Sequence, residues 1–81
     1  MNAVRQGGAL DVRMLRIFEA VADSGNVSQA ARKLGVTQSA VSQTLSQVEQ
    51  ILGTALFDRS HRPFKLTPAG IALSRRARHI V

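Results

Sequence analysis

The fold is decided by residues 30–52, which read AARKLGVTQSAVSQTLSQVEQIL. Within this stretch Ala31, Gly35 and Val41 follow one another at spacings of four and six. They supply a small residue where two helices touch, a glycine at the turn and an apolar anchor on the second helix, which is the skeleton of a helix-turn-helix. Such spacings also arise by chance in helical proteins, so the outward-facing side chains must support the prediction.

The second helix of this motif, predicted over residues 38–52, has an outward surface that is polar but almost uncharged. Between residues 37 and 50, nine of fourteen side chains are Thr, Ser or Gln, and Glu49 is the only charge. An ordinary solvent-facing helix carries Lys and Glu, which are better helix formers. Neutral donors and acceptors suit base edges in the major groove of DNA, although a face that packs on another protein is the alternative. The nine residues are Thr37, Gln38, Ser39, Ser42, Gln43, Thr44, Ser46, Gln47 and Gln50.

Cap residues and apolar stripes define the first three helices. A helix over residues 11–24 is predicted to begin at Asp11, a short helix over 28–34 at Ser28, and the third helix at Thr37. The residues predicted to face the core are Met14, Leu15, Phe18, Val21 and Ala22, then Ala30, Ala31 and Leu34, then Val41, Leu45, Val48 and Leu52, with Ile17 at the edge of the first stripe.

Residues 56–67, LFDRSHRPFKLT, predict a hairpin of two short strands around a basic turn. The strands are expected at 56–57 and 64–66, and Pro63 restricts the hairpin to an edge because it cannot donate to a ladder. The turn brings together Arg59, His61 and Arg62, with Lys65 just beyond. Beside a recognition helix these cations would reach a phosphate or the minor groove; the alternative is a solvated turn in which Asp58 pairs with Arg59 or Arg62.

A fourth helix is predicted from residue 68 onward. Thr67 can cap it and Pro68 suits its first position. No stop signal follows, so the apolar stripe continues to the last residues of the chain. That stripe consists of Ala69, Leu73, Ala77 and Ile80.

This open apolar seam predicts a two-fold dimer. Leu73, Ala77 and Ile80 are expected at its centre, with Met14 and Ile17 of the first helix alongside them. Two recognition helices would then face half-sites of an inverted repeat, about one turn of DNA or a multiple of it apart. The alternative is that the seam packs on Met14 and Ile17 of its own chain.

Composition restricts the class of protein. The 81 residues predict a single domain with a small core. The absence of cysteine excludes a disulfide framework and a thiolate metal site, and two histidines are too few for a histidine site, so no metal and no cofactor are expected. No apolar run exceeds three residues, which predicts no membrane span, no signal peptide and a cytoplasmic location. No arrangement of nucleophile, histidine and carboxylate supports an enzyme.

The net charge of +6 and the isoelectric point near 11.7 are typical of proteins that bind nucleic acid, although small soluble domains are also basic by chance. Taken with the flanking segments, residues 30–70 closely resemble the N-terminal DNA-binding domain of LysR-type transcriptional regulators. The residues that carry the resemblance are the Ala-Ala pair, TQSAVS, Glu49 before Leu52-Gly53, Leu56-Phe57 with Arg59 and Arg62, and Leu66-Thr67 with Ala69-Gly70. The resemblance covers about residues 11–81.

The resemblance implies roles for individual residues. The segment from Gln38 to Gln43 matches the start of the recognition helix, which contacts bases and phosphates. Members often carry Arg at the position of Gln43, but Gln can still read adenine. Arg62 matches the wing arginine that enters the minor groove, and Arg59 matches the arginine near the wing base. The predicted DNA-contacting residues are Ser28, Gln29, Lys33, Thr37, Gln38, Ser39, Ser42, Gln43, Ser46, Arg59, Arg62 and Lys65.

The predicted architecture is mainly α, a winged helix-turn-helix of three helices and a two-stranded wing followed by a linker helix. We expect a flexible leader at 1–10, the DNA-binding domain at 11–67 and a truncated linker and dimerisation helix at 68–81. The resemblance implies binding to double-stranded DNA as a homodimer, and a longer regulator whose C-terminal domain, absent here, binds a small-molecule effector. The alternatives are a winged-helix module that binds proteins and a non-specific RNA binder, although stacking aromatics are scarce.

Overall fold

The computed structural model describes residues 10–80, with the side chains of residues 10–78. Its elements are, in chain order, α1 (Val12–Ser24), α2 (Val27–Leu34), α3 (Gln38–Leu52), β1 (Phe57–Asp58), β2 (Lys65–Leu66) and α4 (Pro68–Ile80). The two strands form one antiparallel sheet, so the predicted helices, wing and following helix are confirmed. Among the described residues no helix is long and apolar enough to cross a membrane. Residues 1–9 of the predicted leader, and Val81, lie outside the described residues.

Three of the four predicted helix caps are confirmed. Asp11, Thr37 and Thr67 each accept a hydrogen bond from the backbone N–H three residues later, at 2.8, 3.0 and 3.1 Å. Each bond satisfies one of the N–H groups that a helix leaves without a partner at its first turn. These caps fix the starts of α1, α3 and α4.

The predicted cap of α2 is wrong. Asn26 Oδ1, not the Ser28 hydroxyl, accepts the bond, from the N–H of Gln29 at 2.7 Å, and the helix begins at Val27. Asn26 has extended backbone at φ −156°, as an N-cap residue requires, whereas Ser28 already lies inside the first turn. The Ser28 side chain is therefore available for another contact.

The core lies among α1, α2 and α3 and is closed by the wing and α4. Its largest fully buried side chains are Phe18, Leu45, Leu56, Val21, Val41 and Val48. Two predictions for α3 are wrong, because Leu52 is 41% exposed and Thr44 only 4% exposed. Thr44 precedes Leu45 on the inward side of the helix, and Leu52 ends α3 beside an open groove rather than under another element.

The wing is attached to the turn between α1 and α2. The backbone N–H of Phe64 donates to the carbonyl oxygen of Gly25 at 2.8 Å, and Phe57 pairs with Leu66 across the sheet. Gly25 has φ 75°, and a Cβ at this position would overlap Pro63. Only glycine allows both the left-handed turn and the close approach of the wing.

The start of α4 is attached to the segment before β1. The N–H of Thr67 donates to Leu56 O at 3.0 Å and its hydroxyl donates to Ala55 O at 2.7 Å. A Cβ on Gly70 would overlap the Leu56 carbonyl oxygen, so the absence of a side chain lets α4 lie against this backbone. These contacts fix the direction in which α4 leaves the wing.

The inner face of α4 packs on α1 of its own chain. Leu73 is 8% exposed and Ala77 is fully buried, and Ile17 is buried with them in the core. Met14 is half-buried, and the side chain of Ile80 lies outside the described part. Ala77 is therefore taken up by the core, as the alternative considered from sequence expects, whereas Leu73 also lines an open groove beside α4, and the dimer through α4 stays a prediction. The core of so short a chain requires much of the apolar surface of this helix.

Candidate nucleic-acid interface

The outward face of α3 is a continuous neutral surface. Gln38, Ser39, Ser42, Gln43 and Ser46 are all exposed. The cap residue Thr37 is exposed beside them, while Thr44 is removed from this surface by its burial. The surface thus offers hydroxyl and carboxamide groups, which can both donate and accept hydrogen bonds.

The starts of α2 and α3 meet through their side chains. Gln38 Nε2 donates to Ser28 Oγ at 3.2 Å. The Ser28 hydroxyl, which does not cap α2, therefore accepts a hydrogen bond from α3. Gln29 and Lys33 are exposed on α2, and Ser28 is half-buried. Two helix N-termini, whose free N–H groups favour anions, are therefore joined by one hydrogen bond.

Arg59 is held by the body of the molecule. Its Nη2 lies 3.6 Å from Glu49 Oε1, and the other oxygen of the same carboxylate accepts from the N–H of Leu56 at 2.8 Å. One glutamate thereby joins the end of α3 to the base of the wing. Sequence analysis missed this role, although Glu49 was the only charge between residues 37 and 50 and the wing was rich in cations.

Arg62 is the free arginine of the wing. Its guanidinium lies 5.5 Å from the ring centre of Phe64, and that of Arg59 lies 5.8 Å from the same ring. Among the described residues Arg62 and Lys65 form no ion pair, and both are exposed. The aromatic ring limits where Arg62 can point but leaves its five donors free.

Asp58 does not neutralise the wing arginines, contrary to the alternative considered from sequence. Its Oδ1 accepts from the backbone N–H and the hydroxyl of Ser60, at 3.0 and 2.5 Å, and its Oδ2 lies 3.6 Å from His61 Nε2. The two Ser60 bonds, with lesser help from His61 and Lys65, lower the pKa of Asp58. The carboxylate stabilises the turn and leaves Arg62 and Lys65 available.

A groove of about 700 Å³ opens on another face, between the start of α1, the end of α3 and α4. Val12 and Leu52, which are 44% and 41% exposed, line it together with Leu10 and Ala72. Asp11 and Arg76 also line it, so it contains both signs of charge. Ala69 and Leu73 of the predicted seam also line this groove, so part of the seam borders a free apolar surface.

A recognition helix with a neutral polar face, set against a hairpin that carries free cations, defines the class of winged helix-turn-helix proteins. The comparisons with known proteins agree with this class. A family model described as "Bacterial regulatory helix-turn-helix protein, lysR family" matches residues 12–71. The chain belongs to this family.

Individual relatives are similar over most of the chain. The HTH-type transcriptional regulator TfdS of Cupriavidus pinatubonensis is 44% identical over 72 residues, which are 89% of this chain and 24% of TfdS. ClcR of Pseudomonas putida, also an HTH-type transcriptional regulator, is 40% identical over 72 residues, which are 89% of this chain and 24% of ClcR. The chain therefore spans about a quarter (24%) of the length of these curated relatives.

Solved structures of similar fold include complexes with DNA. The structure of a BenM_DBD/catB site 1 DNA complex has a TM-score of 0.84 at 34% identity and covers 88% of this chain and 76% of that one. The CbnR_DBD–DNA complex has a TM-score of 0.82 at 41% identity and covers 88% of this chain and 82% of that one.

Proposed function

We propose that this chain is the N-terminal DNA-binding domain of a LysR-type transcriptional regulator and binds a specific double-stranded sequence. The observation that carries the proposal is the neutral, exposed start of α3 beside a wing whose Arg62 and Lys65 are unpaired among the described residues. Neutral donors and acceptors suit base edges, and unpaired cations suit phosphates. Relatives whose DNA complexes have been solved share the fold at 34% and 41% identity.

The contact residues are part of this proposal. Ser42 and Gln43 would read base edges, with Gln38 held by Ser28 at the helix start. Arg62 would enter the minor groove or contact a phosphate. Arg59 changes role in the proposal: its ion pair with Glu49 makes it a residue that positions the wing rather than one that only neutralises DNA.

We also propose that two copies associate through the linker helix α4, at the larger groove that Ala69, Leu73 and Arg76 line together with the start of α1. Its apolar floor includes exposed Val12 and Leu52, and its charged residues, Asp11 and Arg76, are of opposite sign. Two copies related by a two-fold axis could pair each aspartate with the partner copy's arginine, which makes this surface suited to self-association. Such a dimer would present two recognition helices to the half-sites of an inverted repeat.

The remaining features belong to the longer protein that we propose. The domain would span residues 11–67, with residues 68–81 starting a linker helix. A C-terminal domain would bind a small-molecule effector, and the protein would act in the cytoplasm as a regulator rather than an enzyme. Membership of a regulatory family supports the role as a regulator, and the greater length of the curated relatives, of which this chain covers 24%, supports the longer protein.

Selection of bound sequences from random duplex DNA tests the proposal. We expect enrichment of an inverted repeat, and an affinity whose logarithm falls linearly with the logarithm of the salt concentration because Arg and Lys displace counterions. A selection that enriches no sequence would contradict specific readout. An affinity that does not respond to salt would contradict the role of the wing cations.

A further inference from the structure

A second and smaller groove lies between the first half of α1 and the turn that joins α2 to α3. It measures about 340 Å³ and is lined by Val12, Arg13, Arg16, Ile17, Leu34 and Val36. Apart from Val12, none of these residues lines the larger groove, and none is among the residues that we assign to DNA. Its function is therefore open.

The floor of this groove is aliphatic. Ile17 is 4% exposed at the bottom, Leu34 and Val36 are half-buried at one side, and Val12 is 44% exposed at the other. Covering such a surface with an apolar side chain is favourable, because it removes apolar area from water. The volume of the groove suits one or two side chains of a partner.

The rim of this groove is purely cationic. Arg13 and Arg16 are both exposed, and within residues 10–80 neither forms an ion pair. This is the contrast with the larger groove, where Asp11 accompanies Arg76. Two guanidinium groups one helical turn apart can each take a carboxylate in a bidentate contact.

We propose that this smaller groove docks a segment of another protein that carries carboxylates on either side of an aliphatic or aromatic side chain. The inference goes beyond DNA binding, because it adds a protein partner on a different surface. DNA is the less suitable occupant, because phosphates need donors but have no use for an aliphatic floor. The groove places an aliphatic floor and two arginines within a few residues of each other.

A second copy of this chain is also a poor occupant, because it has few carboxylates to offer. Glu49 and Asp58 are engaged with Arg59 and His61. Asp11 lies at the larger groove, where we propose that it pairs with Arg76 of a second copy, and Glu19 is half-buried. Among the chain's five acidic residues that leaves Asp23, one carboxylate for two arginines.

The test uses a fluorescein-labelled Glu-Asp-Leu-Leu-Asp-Glu peptide and fluorescence anisotropy. We expect binding that is weakened about tenfold by Arg16→Glu and much less by Arg75→Glu, which makes the same charge change on an exposed arginine of α4 outside the groove. A Glu-Asp-Ser-Ser-Asp-Glu peptide should bind more weakly than the leucine peptide, because it cannot cover the floor. Amide shifts in NMR spectra should be confined to residues 12–17 and 34–36.

Any of four results with the peptides would overturn the proposal: no binding of the leucine peptide, equal binding by the two variants, equal binding of the two peptides, or shifts centred on the wing. Affinity for a mixed-sequence duplex is measured on the same variants. If Arg16→Glu weakens duplex binding far more than Arg75→Glu, the groove contacts DNA instead. If Arg16→Glu alters sedimentation, it contacts a second copy. Failure of the duplex selection would overturn the proposed DNA binding and leave the peptide result unaffected.

Discussion

Neighbouring residues of α3 can face opposite ways, one toward the core and the next toward solvent, where DNA is proposed to bind. Ser42 and Gln43 are exposed, whereas Thr44 and Leu45 are buried. The helix period therefore leaves two adjacent polar residues on the outer face in its second turn, close to the N-terminus where a recognition helix enters the groove. Their contribution can be measured base by base.

Replacing Gln43 with Ala is expected to relax sequence preference at one or two base pairs, at a cost of about 1–3 kcal/mol on the preferred sequence if the carboxamide makes a bidentate contact. Competition binding between the selected duplex and single-base variants measures this effect. Gln47→Ala is the matched control, since Gln47 is also exposed on α3 but lies one turn further from its start. Uniform weakening on all sequences would show that Gln43 contacts phosphate.

At the scale of elements, contacts between neighbours in space fix the angles that sequence periodicity leaves free. Glu49 connects α3 to the wing through Leu56 and Arg59, and Gly25 and Gly70 allow backbones to approach closely. The wing contains only two residues per strand, too few to be stable as an isolated hairpin. Its position relative to α3 depends on these attachments.

Glu49→Ala is expected to destabilise the fold by about 1–3 kcal/mol, because the N–H of Leu56 loses its acceptor in a partly buried place. Glu49→Gln keeps an acceptor oxygen and removes only the ion pair with Arg59, so most of the stability should return. Denaturant unfolding of the three proteins measures the difference. Equal losses in both variants would mean that the ion pair, not the hydrogen bond, holds the wing.

Glu19 on α1 predicts a pH dependence of stability. Burial, and after it the charge of Asp23, raises the pKa of Glu19, while Arg78 on α4 lowers it by less. Oxygen Oε2 is buried and accepts no hydrogen bond within the described residues. A pKa raised by folding means that the folded state binds the proton more tightly, so this group's contribution to stability falls as pH rises above the ordinary glutamate value.

Glu19→Gln should therefore raise the melting temperature at neutral pH, because the neutral amide avoids the cost of burying a charge. The difference from the natural protein should shrink as the pH falls below the ordinary pKa of glutamate, where both side chains are uncharged. Thermal unfolding followed by circular dichroism over this pH range measures it. A variant that is less stable at neutral pH would show that the attraction of Arg78 dominates.

At the scale of the whole molecule, apolar surface is divided between the core and two open grooves. The core takes Leu73 and Ala77 from α4, and exposed Val12 and Leu52 remain at the larger groove. An aspartate at position 73 would disturb the core as well as any interface, so it cannot test self-association cleanly. Position 52 offers a cleaner test, because its side chain is already 41% exposed.

Leu52→Asp is expected to abolish concentration-dependent dimerisation in sedimentation experiments while leaving the monomer folded, because it places a charge on the apolar floor of the groove. Ile71→Asp is the control, since Ile71 is exposed to a similar extent, 44% against 41% for Leu52, but does not line the groove. Dimerisation that survives Leu52→Asp would place the interface elsewhere.

The sequence by itself determined the features that depend on contacts within a few residues. The starts at Asp11, Thr37 and Thr67, the turn at Gly35 and the wing between Phe57 and Leu66 follow from capping bonds, turn chemistry and apolar spacing. The α2 cap was the local feature predicted wrongly, because Asn26 and Ser28 are both good caps two residues apart. The resemblance to a family added roles for the recognition helix and wing.

Only the tertiary structure decided which apolar and charged groups meet. The burial of Thr44, the exposure of Leu52 and the use of Leu73 in the core depend on how each helix is rotated against its neighbours, which a single-helix stripe does not specify. The pairing of Glu49 with Arg59 joins residues on different elements, and the two grooves are spaces between helices rather than properties of any one helix. The physical reason is that packing is set by the sum of all contacts in a small core, where one residue's burial leaves another exposed.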